Sequence, residues 1–453
     1  MMVRIYITGI LMSVLLSSCN NSGKKNVSHN DLLYVADDMQ SLLLGNMMPA
    51  WYPRVIDREY GGYLSDFNYK WDQTERQDKM IVTQARHVWT CSKMYAFTGD
   101  TVYLGYAKHG FQFLKNLMWD KKYGGFYNLV TREGHPVNEG GGQTIQKNAY
   151  GNAFAIYALA AYYGESSDPA ALDLAKQTFN WLESNSHDET YGGYFMFLDE
   201  DGTPFKEGIR NIPPKDQNSS IHIMEALTEL YHVWPDELVR KRLEEMLMLI
   251  RDIIVQERGN LQLYLKQDLT PVSLRDSSKE FHRKNYFLDH VSFGHDVETA
   301  YLLMESSEAL KIRNDKKTRA VSKKMVDNAL SNGWDNKSAG VYDAGYFYKN
   351  EDTITILRDS KNWWAQAETL NTLLIMSYLY PDDPLEYRKK FLAQWQFIKD
   401  YLVDWENGGW YEGSLDKEPR WKTGRKAQIW KGNYHTTRSL INCINRIRSA
   451  TQD

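Results

Sequence analysis

The sequence repeats itself about every seventy residues, and this period constrains the fold more than any single motif. A turn of glycine followed by an aromatic or aliphatic residue marks each period: Gly61-Gly62-Tyr63, Gly124-Gly125-Phe126, Gly192-Gly193-Tyr194, Gly259-Asn260-Leu261, Gly340-Val341-Tyr342 and Gly408-Gly409-Trp410. Successive turns are separated by 63, 68, 67, 81 and 68 residues. A period of this length indicates supersecondary units that bury their apolar faces against one another. The chain therefore contains six such units.

Each unit carries two kinds of helical pattern. One kind has apolar residues at intervals of three and four and charges on the other face, which predicts a helix with one buried side: 103–119, 170–184, 237–256 and 385–403. The other kind is apolar nearly all round, so it must be enclosed by other elements: 153–163, 221–231, 297–304, 367–380 and 436–447. Short alternating stretches after the turns, such as 194–198, predict small hairpins in the connecting loops.

Six pairs of one outer and one enclosed helix predict an all-α (α/α)6 barrel with short β-strands in its loops. An open superhelix of helix pairs is the main alternative, but only a closed ring gives the last inner helix a neighbour. No linker rich in proline, glycine or serine follows residue 30. We therefore expect residues 31–450 to form one domain.

The candidate site residues follow the same period. One polar or aromatic residue stands near the start of each inner helix: Arg86, Tyr150, His222, His295, Trp364 and His435. Their spacings of 64, 72, 73, 69 and 71 residues place all six at one mouth of a closed ring. Helical spacing adds Asn218 and Glu225 to the face of His222, and Glu368 to that of Trp364. We expect Glu298, one turn after His295, to orient its imidazole and raise its basicity.

Composition and motifs exclude several classes of function. The net charge of −4, with no basic stripe, argues against a nucleic-acid partner. No HExxH or Cys-x-x-Cys spacing and no glycine-rich phosphate loop occurs, so neither a metal site nor a nucleotide cofactor is predicted. An aromatic content of 13% fits a large core and a sugar-binding cleft equally well. The glutamates leave a glycoside hydrolase conceivable, but each lies beside a more prominent polar residue.

The N-terminus resembles that of a bacterial lipoprotein. A basic start and an apolar stretch at 5–16 precede Leu16-Ser17-Ser18-Cys19, which resembles a lipobox whose cysteine is lipidated. Residues 1–19 then form the signal peptide and 20–30 a polar tether. The alternative is a secretory peptide with an incidental cysteine. Asn20 is not the aspartate that resembles an inner-membrane retention signal, so the outer membrane of the cell envelope is favoured. Of the remaining thiols, we expect Cys91 and Cys443 to be buried and unpaired rather than to form a disulfide.

These segments together resemble the N-acylglucosamine 2-epimerase family, and within it the cellobiose and mannobiose 2-epimerases. The resemblance extends over residues 31–450 and is most specific at 293–298, 363–368 and 430–435. Asn218 with His222 and Glu225, the segment around Arg86, and Tyr150 in 150–154 also match.

The resemblance implies cofactor-independent epimerisation at C2 of a reducing-end sugar through an enediolate. His295 and His435 would form the acid/base pair, His222 would assist ring opening and Arg86 would stabilise the enediolate. Further residues would bind the substrate: Tyr150, Asn218, Glu298, Trp363, Trp364, Glu368 and Trp430. The implied partner is a small sugar, and we expect a monomer or weak dimer.

Two departures from the pattern concern the size of the sugar. Ser220 stands where disaccharide epimerases commonly have a second histidine, and Arg210 stands where an acidic residue is expected. The sequence therefore leaves a monosaccharide epimerase open. It also leaves open an aldose–ketose isomerase working through the same enediolate. A third alternative, from another class, is a non-catalytic glycan-binding protein at the cell surface.

Overall fold

The computed structural model describes residues 29–74, 76–137 and 147–450. The helices are α1 His29–Leu42, α2 Met48–Trp51, α3 Ile81–Thr98, α4 Thr101–Phe113, α5 Ala149–Ser166, α6 Pro169–Asn185, α7 Gln217–Val233, α8 Glu237–Leu249, α9 Lys279–Lys284, α10 Phe293–Ala309, α11 Lys316–Gly333, α12 Trp363–Leu379, α13 Tyr387–Tyr401 and α14 Tyr434–Ser449. The strands are β1 Lys79–Met80, β2 Leu129–Val130, β3 Lys147–Asn148, β4 Phe197–Leu198, β5 Lys215–Asp216, β6 Tyr264–Leu265, β7 Val291–Ser292, β8 Ala344–Tyr346 and β9 Thr355–Arg358.

The long helices form two concentric rings. In the inner ring, α3, α5, α7, α10, α12 and α14 each contact the next, and α14 contacts α3 to close the circle. In the outer ring, α1, α4, α6, α8, α11 and α13 each pack on an inner helix. The predicted (α/α)6 barrel is therefore confirmed, and the open superhelix is wrong. Each sequence segment that is apolar all round lies in an inner helix, although 367–380 runs one residue past the end of α12.

Inner helices begin at one end of the barrel, here called the near mouth, and end at the far mouth. The outer helix α1 runs antiparallel to α14. At the far mouth Arg448, in the last turn of α14, donates to Gln40 over 2.6 Å. At the near mouth the side chain of Asn433, just before α14, contacts the sulfur of Met48. Helix α1 therefore starts near the far mouth, at His29, two residues before the expected domain boundary.

The strands form small antiparallel sheets at the near mouth, in the orders β1–β2, β3–β4, β5–β6 and β7–β8–β9. In the first three sheets, the strand before one inner helix pairs with the strand that follows the next glycine turn. The turns require glycine for steric reasons. Gly125 has a φ of +71°, and a Cβ placed there would lie 2.7 Å from the indole of Trp181. The short hairpins expected from the alternating stretches are present as local bridges, for example between Leu198 and Pro204.

A buried lysine ties each of four glycine turns to the inner helix that follows it. For Lys147, Nζ lies 2.6 Å from Oδ2 of Asp120 and donates to the carbonyl oxygens of Gly124 and Glu200. Equivalent buried pairs join Lys79 to Asp57, Lys215 to Asp188 and Lys361 to Asp335. A buried cation is stable only when it is paired and fully hydrogen-bonded, as here. We call this arrangement the lysine latch.

Two units depart from the latch. Before α10, Val291 stands in the lysine position, and Gln256 stands in that of the aspartate. Before α14, Gly432 stands in the lysine position. Lys426, six residues before Gly432, makes the ion pair with Asp404 instead. These are the units that carry His295 and His435.

The signal peptide, Cys19 and the tether up to residue 28 lie outside the described residues. Within the described ranges, no helix is both long and apolar enough to span a bilayer. Cys91 and Cys443 lie on the adjacent helices α3 and α14, and both are buried free thiols. The prediction of two unpaired thiols is therefore confirmed.

Candidate active site

The six residues in phase with the repeat meet at the near mouth. On one side, Nη2 of Arg86 donates to the hydroxyl of Tyr150 over 2.9 Å, and the Tyr150 ring lies 5.3 Å from that of His222. On the other side, the ring of Trp364 lies beside two imidazoles, with centroid distances of 4.6 Å to His295 and 5.7 Å to His435. Closure of the ring thus brings together residues far apart in the sequence.

His435 is held by a carboxylate from the neighbouring inner helix. Its Nδ1 lies 2.6 Å from Oε1 of Glu368, which also accepts a hydrogen bond from Arg438. Tyr301 donates to the other oxygen of the same carboxylate over 2.7 Å. Because Oε1 of Glu368 acts as an acceptor toward Arg438, it also accepts from the imidazole. Nδ1 of His435 is therefore the donor and carries the proton. Nε2 is then left with a lone pair, as a general base requires.

A buried guanidinium, that of Arg438, organises the floor of the site. It donates to three carboxylates on three inner helices, those of Glu225, Glu298 and Glu368. Arg438 lies one turn after His435 and is only 3% exposed. Arg438 is absent from the residues predicted from the sequence, although its position one turn after His435 on an inner helix was a signal.

His222 is held by its own helix. Its Nδ1 lies 2.7 Å from Oε2 of Glu225, three residues later, as the shared helical face predicted. Oε1 of the same glutamate accepts from the hydroxyl of Tyr434 over 2.7 Å. Because Glu225 also binds Arg438, His222 and His435 are linked through one guanidinium and two carboxylates.

The expected pairing of His295 with Glu298 is wrong. Nδ1 of His295 lies 2.7 Å from the hydroxyl of Ser292, the residue just before α10. Glu298 instead accepts from Arg438, and its carboxylate lies 3.8 Å from Nδ1 of His435. Ser292 and Glu298, three residues before and after His295, are both within its reach on the helix. Glu298 pairs with Arg438 instead, because leaving a buried cation unpaired costs more free energy than losing one neutral hydrogen bond.

Burial and nearby cations keep the three imidazoles neutral. Burial, followed by the charges of neighbouring histidines, lowers the pKa of His295 to about 3. Burial, followed by the charges of Arg86 and Arg438, holds the pKa of His435 well below its usual value. Burial also lowers the pKa of His222, although Glu225 opposes the shift. At neutral pH each histidine can therefore accept a proton.

The glutamates around Arg438 differ in their acidity. Burial raises the pKa of Glu225, but the charge of Arg438 and the bond to His222 outweigh it and lower the pKa to about 2. For Glu298, burial and the nearby charge of Glu368 raise the pKa above its usual range, despite Arg438. The floor of the site thus combines one firmly ionised carboxylate with one that holds its proton tightly.

The residues expected to bind substrate divide into exposed and buried ones. Trp364, Tyr150 and Asn218 are half-buried at the near mouth, and Trp430 is 50% exposed on the loop before α14. Oδ1 of Asn218 is buried without a partner in the described chain, so it can accept a ligand hydroxyl. Trp363, Glu298 and Glu368 are buried. The two glutamates support His435 and Arg438 from beneath the mouth.

One trio of side chains has the spacing of metal ligands. The ligand atoms of Glu298, Glu368 and His435 lie within 4.8 Å of one another. However, Nη2 of Arg438 donates to Oε1 of both carboxylates, so these oxygens already face a buried positive charge. The donor set is thus that of a guanidinium–carboxylate cluster.

Comparison with known proteins agrees with this geometry. The family model of N-acylglucosamine 2-epimerase (GlcNAc 2-epimerase) matches residues 62–439. The cellobiose 2-epimerase of Dictyoglomus turgidum is 26% identical over 427 residues, covering 92% of this chain and 100% of that protein. The D-mannose isomerase of Marinomonas mediterranea is 24% identical over 417 residues, covering 89% of this chain and 96% of that protein.

A solved structure extends the likeness to three dimensions. The cellobiose 2-epimerase from Spirochaeta thermophila has a TM-score of 0.78 and 27% identity to this chain, covering 93% of this chain and 98% of that one. The range that the family model matches contains all six inner-helix residues at the near mouth. The chain therefore belongs to the N-acylglucosamine 2-epimerase family.

Proposed function

We propose that this protein is a cofactor-independent sugar 2-epimerase that acts on the reducing-end aldose of a disaccharide. The observation that carries the proposal is the pair of buried imidazoles, His295 and His435, that both lie beside Trp364. Each has a separate hydrogen-bond partner, so the two can hold opposite protonation states. The cellobiose 2-epimerases that match the chain over nearly their whole length support a disaccharide substrate.

The chemistry follows from these contacts. Once the sugar ring has opened with the help of His222, Nε2 of His435 removes the proton from C2, and Glu368 stabilises the resulting imidazolium. Negative charge then develops on the enediolate oxygen. Arg86 is buried beside Tyr150 and is suited to stabilise that charge. His295, once protonated from solvent, gives that proton to the opposite face of C2 and is left neutral, while His435 releases the C2 proton to solvent. In the reverse direction the two histidines exchange roles.

The proposal is tested by incubating the protein with cellobiose or mannobiose in D₂O. We expect the C2 epimer to form with deuterium at C2. Acid/base groups typically contribute about 10²–10⁴-fold to rate, so His295→Asn and His435→Asn should each lose at least about 100-fold. His135→Asn, at an exposed histidine, is the matched control. Saturable sugar binding without turnover in the wild type would instead indicate a glycan-binding protein.

The second candidate is an aldose–ketose isomerase, which the likeness to a D-mannose isomerase favours. It uses the same enediolate but returns the proton to C1. A monosaccharide substrate also stays possible, because Ser220 and Arg210 depart from the residues expected in disaccharide epimerases. Product analysis with mannose, N-acylglucosamine and the two disaccharides separates these cases, since a ketose product or turnover of the monosaccharides alone would overturn the proposal.

We further propose that the protein is lipid-anchored through Cys19 in the bacterial cell envelope, at the outer membrane. The lipobox-like Leu16-Ser17-Ser18-Cys19 supports this. Since α1 starts near the far mouth, the anchor would be joined to the barrel at the end opposite the histidines. Cys19→Ser should move the protein from the membrane fraction to the soluble fraction. Unchanged membrane association of this variant would contradict the anchor.

A further inference from the structure

A second cavity opens at the far mouth, on the opposite side of Arg438 from the histidines. Its volume is about 780 Å³, and its walls come from the inner helices α3, α5, α7, α10 and α14. Arg438 and Glu225 belong both to its lining and to the site above it. A cavity of this size falls in the range that holds small-molecule ligands.

Two buried donors in this cavity lack acceptors within the described residues. They are Nε1 of Trp89 and Nε of Arg438, whose residues are 5% and 3% exposed. A buried N–H group without an acceptor costs about 1–3 kcal/mol. Both residues line the cavity, so a small shift of either side chain would bring its N–H group within reach of a ligand oxygen there. The amide of Asn442, half-buried on α14, adds a group that both donates and accepts.

The charged residues of the cavity largely cancel. Lys93 pairs with Glu229, and Arg438 with Glu225. Glu305 forms no ion pair in the described part of the chain, and burial raises its pKa to about 7 despite the opposing charge of Arg438. Glu308, Lys311 and Arg448 complete the charged lining, so positive and negative side chains nearly balance near neutral pH. The cavity therefore offers hydrogen-bonding groups rather than a site of one charge.

The walls also offer apolar surface. Trp89 and Tyr157 stack with centroids 5.3 Å apart, and Leu302 and Ile441 complete the lining. The buried donors and the amide match the hydroxyl groups of a sugar. The aromatic and aliphatic walls match its C–H groups, which pack on apolar surface. We propose that the far cavity is a second binding site, which takes a neutral polyhydroxy compound of mono- or disaccharide size. This inference does not depend on the reaction at the near mouth.

The test uses glucose as the probe, with the full chain carrying Cys19→Ser. We expect crystals soaked in glucose to show the sugar between Trp89 and Asn442, and saturation-transfer NMR to give a Kd of about 10 mM or tighter. Asn442→Leu, which removes the amide, should abolish the sugar at the far mouth. Asn116→Leu, the same substitution at an exposed site on an outer helix, should retain it. Both variants should keep C2 exchange in D₂O, which shows that they fold.

Three results would overturn the inference. The first is an empty far cavity in the wild type, and the second is equal occupancy in Asn442→Leu. The third is density in soaked crystals without a signal in solution, which means binding at crystal concentration only. Glu305→Gln tests the class of ligand, because a neutral sugar should still bind to this variant. Loss of glucose binding in Glu305→Gln, or tighter binding of an organic cation than of glucose to the wild type, would also contradict a sugar site. If C2 exchange fails in the wild type while glucose still binds, only the epimerase proposal falls.

Discussion

Substitution of Glu368 by glutamine isolates the electrostatic contribution of the carboxylate behind His435. Oε1 of Glu368 accepts from both His435 and Arg438, and Oε2 accepts from Tyr301. A glutamine can keep its oxygen toward the two nitrogen donors and turn its amide toward Tyr301, whose hydroxyl can rotate to accept. The His435 tautomer is then preserved, and the variant loses charge without losing the hydrogen bond.

The magnitude follows from the loss of that charge. A hydrogen bond to a charged group contributes about 1.5–3 kcal/mol, against about 0.5–1.5 kcal/mol for a neutral one. In the variant, the imidazolium that forms as His435 takes the C2 proton therefore loses about 1–2 kcal/mol of stabilisation from this hydrogen bond. The lost long-range Coulomb attraction of the buried carboxylate increases the effect. Each 1.36 kcal/mol is tenfold in rate. We expect kcat for epimerisation to fall about 10–100-fold with KM little changed, since the charge develops only in the transition state.

The assay is steady-state epimerisation of cellobiose or mannobiose, with thermal unfolding as a check on folding. Tyr301→Phe is the control, because it removes only the donor to Oε2 and keeps the charge. We expect it to retain kcat within about threefold. If Glu368→Gln keeps wild-type kcat, or if it raises KM instead, the carboxylate does not act through the imidazolium of His435.

Three further predictions concern pH and stability. Because burial lowers the pKa of His295 to about 3 and that of His435 below its usual value, kcat/KM should not fall between pH 7 and about 5, and an acid limb near 6.5 would refute bases that are neutral in the free enzyme. Lys147→Met leaves Asp120 buried without its cation and should cost about 3–5 kcal/mol in urea unfolding, whereas Lys122→Met, at a more exposed lysine nearby, should change stability by under about 0.5 kcal/mol. The raised pKa of Glu298 means that its contribution to stability is fully present below the ordinary glutamate pKa and is lost as pH rises toward the raised one. The free energy of unfolding should therefore fall less between pH 5 and 8 in Glu298→Gln than in the wild type. An unchanged slope in this variant would contradict this prediction.

The sequence predicts the barrel and the convergence of the site because both depend on one period. Apolar faces and site residues recur with nearly the same spacing, so closure of the ring is enough to bring Arg86 and His435 to one mouth. Side-chain pairings within that mouth do not follow from the period. Glu298 and Ser292 are both one turn from His295, and the choice between them depends on a cation from another helix.

Arg438 could not be separated from its neighbours by residue type. Arg446 and Arg448 lie on the same helix, and Arg448 is partly exposed at its end, where arginine is expected. Only the crossing of the inner helices shows that Arg438 faces three carboxylates. The lysine latches escaped notice for a related reason, since lysine is rarely buried, although Lys79, Lys147 and Lys215 recur at intervals of 68 residues.

The departures from the latch have a structural consequence for the acid/base pair. Where the latch is regular, the inner helix begins two residues after the lysine, so the turn and the helix start are tied directly together. Before α14, Lys426 makes the ion pair instead, and the additional residues between Lys426 and the helix form the loop that carries the half-exposed Trp430. Before α10, the strand carrying Val291 pairs with β8 and places Ser292 against His295. The two units that carry the acid/base pair therefore begin their inner helices without the regular lysine, and each joins the turn to the helix by a different set of contacts.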